Sequence, residues 1–162
     1  MTIAFTGYEI PASNFAVTSS ANITPPANTK AMLFFVFADG ANTAANNIDP
    51  NIVRWNSINA TKVYKVADST GGQGQCLSIY KIDNPASITA LAEVQHLTQY
   101  HHQAVVCVTN NQPITINVSP NTNFATGTNP SVSVDSVSGD NTIFAVISDA
   151  LTGASQITIN GG

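Results

Sequence analysis

Apolar and polar residues alternate with a period of two along most of this chain, in short runs that recur at intervals of roughly ten residues. Successive side chains of a strand point to opposite faces, so such runs predict half-buried β-strands. The runs are Thr2 to Ile10, Phe15 to Thr18, Ala31 to Ala38, Ile52 to Trp55, Thr61 to Ala67, Gln75 to Ile82, Ser87 to Val94, Gln103 to Val108, Ile114 to Val118, Ser131 to Val137, Thr142 to Ser148 and Gln156 to Ile159. Ala31 to Ala38 is the longest apolar stretch and reads as a buried strand. Helical spacing occurs once, at Ala90, Leu91, Val94 and Leu97, and the stretch Ser87 to Leu97 fits a strand or a short helix. About a dozen strands predict two packed antiparallel sheets, an all-β sandwich.

The connections carry matching chemistry. Pro11 and Pro25-Pro26 break the early strands, and Asp39-Gly40 through Pro50 is an Asn- and Ala-rich loop. Gly71, Gly72 and Gly74 allow the positive φ angles of a tight turn. Ser138-Gly139-Asp140-Asn141 is the most hairpin-like turn, joining Val132, Val134 and Val137 to Ile143, Ala145 and Ile147. The Asn/Thr-rich tract Asn121 to Asn129 reads as a surface loop. No interdomain linker and no repeat of fixed period interrupt the pattern, so residues 1–162 form one domain.

Charge narrows the function. Only 9% of residues are charged, against a hydrophobic share of 43%, and the net charge is −4. Every cation, Lys30, Arg54, Lys62, Lys65 and Lys81, lies in the first half; from Ile82 to Gly162 the formal charges are Asp83, Glu93, Asp135, Asp140 and Asp149. Nucleic-acid binding needs a clustered basic face, which five scattered cations do not make. No run approaches a membrane span, and Met1-Thr2-Ile3-Ala4-Phe5 has no basic n-region, so the expectation is a soluble chain made in a cytoplasm. In that reducing compartment Cys76 and Cys107, without CxxC spacing, read as small buried hydrophobes.

Candidate chemistry is thin. His101 and His102 are adjacent and would face opposite sides of a strand, so they cannot share a metal from regular β geometry. A catalytic or zinc reading needs His96, His101 or His102 to converge with a carboxylate, of which Glu93 alone is near in sequence. The chain has no GxSxG, GxxxxGK[ST], GxGxxG or DxDxDG, and Glu9 and Glu93 are its only glutamates. Asp39 and Asp49 are turn residues or, with loop carbonyls, a weak calcium set. Trp55, Tyr64, Tyr80 and Tyr100 are the rings that could stack on a sugar, with Trp55 and Tyr64 the candidate carbohydrate contacts; packing in the core is the competing role. No catalytic, cofactor or metal residues are expected.

The stretch Ile52-Val53-Arg54-Trp55-Asn56-Ser57, then Ala60-Thr61-Lys62-Val63, then Cys76-Leu77-Ser78-Ile79-Tyr80-Lys81-Ile82-Asp83-Asn84-Pro85 resembles a family of β-sandwich domains abundant in phage and environmental bacterial sequences. The order continues with Ala104-Val105-Val106-Cys107-Val108 and the hairpin from Ser131 through Ser138-Gly139-Asp140 to Ile143-Phe144-Ala145-Val146, so the similarity covers roughly residues 31 to 148. Ser57 replaces the glycine usual after Trp-Asn, and a non-glycine residue resists positive φ, so that turn is expected to have another geometry. Family members also continue with further strands beyond Gly161-Gly162. An edge left incomplete by their lack would recruit a strand from another chain.

The resemblance implies a jelly-roll-like or immunoglobulin-like sandwich that acts as a virion-associated structural protein. The expected role is non-enzymatic: a decoration or cement protein on the exterior of a phage head, a homotrimer or homodimer seated on the major capsid protein. The Pro-broken segment Thr2 to Lys30 is the expected docking arm, and the half without cations the expected subunit interface. The alternative is a tail- or fibre-associated receptor-binding or carbohydrate-binding module.

Overall fold

Residues 4–13, 18–40, 49–68, 74–96, 100–110, 144–147 and 158–161 are described in the computed structural model of the chain. Among them are eleven strands and no helix: β1 (Ala4–Ser13), β2 (Thr18–Ile23), β3 (Thr29–Gly40), β4 (Ile52–Trp55), β5 (Ile58–Asn59), β6 (Thr61–Asp68), β7 (Gly74–Asp83), β8 (Ala90–Gln95), β9 (Tyr100–Thr109), β10 (Phe144–Ile147) and β11 (Thr158–Gly161). The first nine form two antiparallel sheets packed face to face, of order β1-β9-β3-β7-β6 and β2-β8-β4-β5. The fold is a β-sandwich, as the alternation predicts.

The pairing order says which kind. β1 pairs with β9, β2 with β8, β3 with β7 and β4 with β5. These are nested pairs of one long hairpin, and successive pairs fall alternately in the two sheets. An antiparallel strip rolled in this way is a jelly roll. β6 is the one addition, an extra strand beside β7 at the edge of the larger sheet.

Burial follows the pleat. In the smaller sheet Val53 and Trp55 of β4, and Ala92 and Val94 of β8, point inward while Arg54 and Glu93 point out. They meet Met32, Phe34 and Val36 of β3, Tyr80 and Ile82 of β7, and Val105 and Cys107 of β9. Burying each large apolar side chain stabilises the fold by about 1.5–3 kcal/mol. β3 shows no alternation because both faces of its sheet are apolar: Leu33, Phe35, Ile79, Val106 and Val108, at most 4% exposed, form a second cluster on the far side. A central strand buried on both faces reads as a continuous apolar run.

Several expectations change. Within the segment Thr2 to Lys30, β1 pairs with β9 from Ala4↔Thr109 to Ile10↔Gln103 and, past a register shift, at Ser13↔His101, and β2 pairs with β8 from Thr18↔Gln95 to Ile23↔Ala90. Of the strand expected at Phe15 to Thr18, residues 15–17 lie outside the described residues; the described strand is β2 at Thr18–Ile23, where Ser19 and Ala21 beside Ile23 give an inner face with little hydrophobic signal. Within Ser87 to Leu97, Ala90–Gln95 is the strand β8, and residue 97 lies outside the described residues. The β4–β5 turn keeps positive φ at both central residues, Asn56 (49°) and Ser57 (62°), with Trp55 opposite Ile58. That is the type I′ geometry usual for Asn-Gly, adopted despite the serine.

β10 and β11 pair antiparallel from Phe144↔Gly161 to Ile147↔Thr158. The expected strands at Ile114 to Val118 and Ser131 to Val137, the loop Asn121 to Asn129 and the turn Ser138 to Asn141 lie outside the described residues.

Candidate functional site

Among the described residues, the buried polar side chains of Ser19, Ser78, His96, His101 and Gln103 gather toward one end of the inter-sheet space, while Thr29 and Asn110 are buried at the other end of the larger sheet. On the inner face of the larger sheet, Ser78, Val36 and Gln103 stand opposite one another across β7, β3 and β9, followed by Cys76, Ala38 and His101. The inward alternation of β8, through Ala92 and Val94, carries on to His96 at the end of that strand. His96 and His101 thus come from different sheets and meet between them, 1% and 0% exposed, with ring centroids 6.1 Å apart and planes at 32°. Ser19 Oγ of β2 lies 3.5 Å from His101 Nε2. The Gln103 amide donates to the carbonyls of Ile10 (3.2 Å) and Pro11, tying β9 to the bend of β1.

His101 and His102 face opposite sides, as their adjacency requires: His101 is buried and His102 half-buried. The pair that forms, His96 with His101, has a signal only once β8 and β9 are assigned to different sheets. Among the described residues no group of three or more His, Cys, Asp or Glu side chains is arranged to hold a metal ion.

The described charges are mostly paired with each other. Arg54 donates from Nε (2.6 Å) and its terminal nitrogen (3.1 Å) to Glu93, its cross-strand neighbour on the outer face of the smaller sheet. This fork holds the Glu93 carboxyl below its ordinary range. Asp49 takes Lys62 at 2.5 Å and Lys65 at 3.2 Å. Burial pushes the Asp49 carboxyl up, but the hydrogen bonds from the two lysines outweigh it and hold the carboxyl low. A carboxylate shared by two ammonium groups is a poor calcium ligand, and Asp49 serves the fold in that way. Lys81 and Asp83 pair at 3.1 Å.

Both cysteines are free and buried, as expected for small hydrophobes. Cys76 stands opposite Ala38 and Cys107 opposite Met32, six positions apart along β3. At about 3.4 Å per residue that separation far exceeds the reach of a disulfide. Burial pushes the Cys107 thiol up to about 12 and raises Cys76 as well.

The two sugar candidates are not set out as a platform. Trp55 is 0% exposed, the largest fully buried side chain, and its Nε1 donates to the Ile23 carbonyl at 3.3 Å. Stacking needs an open ring face, so the packing role holds for Trp55. Tyr64 is half-buried and packs against the second cluster, and Tyr80 is buried in the first. The Tyr100 side chain lies outside the described residues. The chain matches no protein-family model, no curated protein and no solved structure.

Proposed function

We propose that this chain is a non-enzymatic structural subunit of a phage virion, a decoration or cement protein on the exterior of the head. The observation that carries the reading is the rolled pairing order, the architecture of many viral capsid domains. Two further features support it. The second half of the chain contains no lysine or arginine, and contacts through backbone edges and small polar side chains suit a permanent interface, where burying an unpaired ammonium would be costly. The motif order across residues 31 to 148 resembles a virion-associated family. In this reading the protein is made in the host cytoplasm, assembles as a homotrimer or homodimer and seats on the major capsid protein. With β1 and β2 built into the sandwich, docking falls to the cation-free half rather than to residues 1–30.

Lectin domains share the jelly roll, so a receptor-binding module of the tail is the competing class. Mass spectrometry and cryo-electron microscopy of purified particles separate the two. Decoration predicts a fixed copy number in the virion and density on the head surface. Absence from particles, or density confined to the tail together with selective binding on a glycan array, overturns it.

A further inference from the structure

The larger sheet has two apolar faces, and the smaller sheet covers only one of them. We propose that the C-terminal hairpin β10–β11 lies over the other as a third layer, so that the outer face of the roll is closed by a segment of its own chain.

Leu33 and Phe35 of β3, Ile79 of β7, and Val106 and Val108 of β9 are at most 4% exposed. By register they share one face of the sheet: Val106 stands opposite Leu33, and Phe35 stands opposite both Ile79 and Ala104. Residues one step along each strand, Phe34, Tyr80 and Val105, turn to the other face and meet the smaller sheet in the first cluster. A pleated sheet with water on one face leaves the side chains of that face partly open, because neighbours within the sheet shield only their flanks. Near-complete burial of these five residues therefore requires a layer on top. β2, β4, β5 and β8 form the smaller sheet on the far side, and β1 and β6 lie in the plane of the larger sheet. The described connections 24–28 and 84–89 meet each other at one end of the roll, where Ser87 Oγ donates to the Pro25 carbonyl at 2.8 Å. Of the described strands only β10 and β11 are left.

That hairpin in turn needs a support. It is a ladder of four residues a strand, paired among the described strands with neither sheet. An isolated two-stranded hairpin is marginal in water and gains stability by packing on another layer. Phe144-Ala145-Val146-Ile147 and Thr158-Ile159-Asn160-Gly161 contain no ionisable side chain. A layer laid on an apolar face brings a charge there only at a large desolvation cost, so this composition suits the position. Four residues of strand reach about 14 Å, enough to cross β7, β3 and β9, whose axes span about 10 Å. The segment 110–143 is amply long to carry the hairpin across the sheet, since an extended chain advances about 3.3 Å per residue. The inference concerns contacts within one chain and stands apart from any role in a virion.

The test is NMR of the full chain, recording NOEs between amide protons of β10 and β11 and the methyl groups of Leu33, Ile79, Val106 and Val108. Such NOEs are expected, with unchanged strength per labelled chain when labelled protein is diluted into an excess of unlabelled protein. NOEs lost on dilution would assign the cover to a second copy, and methyls whose cross-layer NOEs all run to other segments would assign it elsewhere; either result overturns the proposal. Should the hairpin amides be too broad to observe, Ala145→Pro and Val146→Pro give a second reading. Successive residues of a strand aim their N–H groups to opposite sides, so one of the two substitutions removes a ladder bond. Uncovering the face should then raise the binding of anilinonaphthalene sulfonate several-fold. The emission of Trp55, the one tryptophan, buried between the two sheets, should keep its native wavelength. Wild-type dye binding in both variants, or a rise that comes only with solvent-exposed Trp55 emission, overturns the third layer.

Discussion

Ser57 holds a backbone conformation that its own Cβ disfavours. At φ 62° it sits where glycine is usual, while Asn56 at 49° is of a type that tolerates the left-handed region. Ser57→Gly is expected to stabilise the protein by about 1 kcal/mol, seen as a higher urea midpoint at unchanged slope; a lower midpoint would mean that the serine hydroxyl outweighs the strain. Trp55 is the opposite case, a residue whose removal the fold cannot absorb. Trp55→Ala should cost about 3–5 kcal/mol, and Trp55→Phe less, chiefly the bond to the Ile23 carbonyl. With no face of the indole exposed, neither change is expected to act through lost sugar contact. Cys107, its thiol pushed up to about 12, should resist a thiol reagent in the native state at pH 8 and react at once in urea. Rapid native labelling of Cys107, mapped by mass spectrometry, would contradict its burial.

At the scale of elements, β1 and β2 are the test of how the roll is held. Each is the terminal strand of a different sheet, β1 against β9 and β2 against β8, so deleting residues 1–30 removes one strand from each layer. The truncated chain is expected to lose cooperative unfolding; a sharp transition near the wild-type midpoint would show these strands to be dispensable. How visible each element is in the sequence depends on what its inner face carries. β4 is legible to the residue, because Val53 and Trp55 alternate sharply with Arg54. β3 is legible as a continuous run because it is covered on both sides. β2 is only faintly legible because serine and alanine form most of its inner face. β5 is two residues long and carries no period. The His96–His101 contact is hidden for a different reason: it joins strands of separate sheets, and periodicity describes a strand, not its partner across the core. The same holds for the Arg54–Glu93 fork, set by the β4–β8 register. Since the fork lowers the Glu93 carboxyl, its contribution is present above the ordinary glutamate range and is lost as pH falls below it. Glu93→Gln should flatten the stability profile below about pH 4.5, by a modest amount for a surface pair.

For the whole molecule, the nested order of pairs governs both assembly and synthesis. The proposed subunit is expected to run as a dimer or trimer in light scattering at micromolar concentration; a monomer would sink the assembly reading. The roll also has a direction in time. β3, the most apolar strand, is complete at Gly40, yet one of its neighbours ends at Asp83 and the other at Thr109. At ordinary translation rates the ribosome needs roughly 3 to 14 seconds to make the intervening residues. Throughout that interval a strand rich in Phe waits outside the tunnel without its pairs, and the contact that closes the roll, Ala4 with Thr109, is the last of the roll's pairs to become possible. Added holdase chaperones, which cover an exposed apolar strand during that interval, should therefore raise the soluble yield of this chain more than any change to its surface.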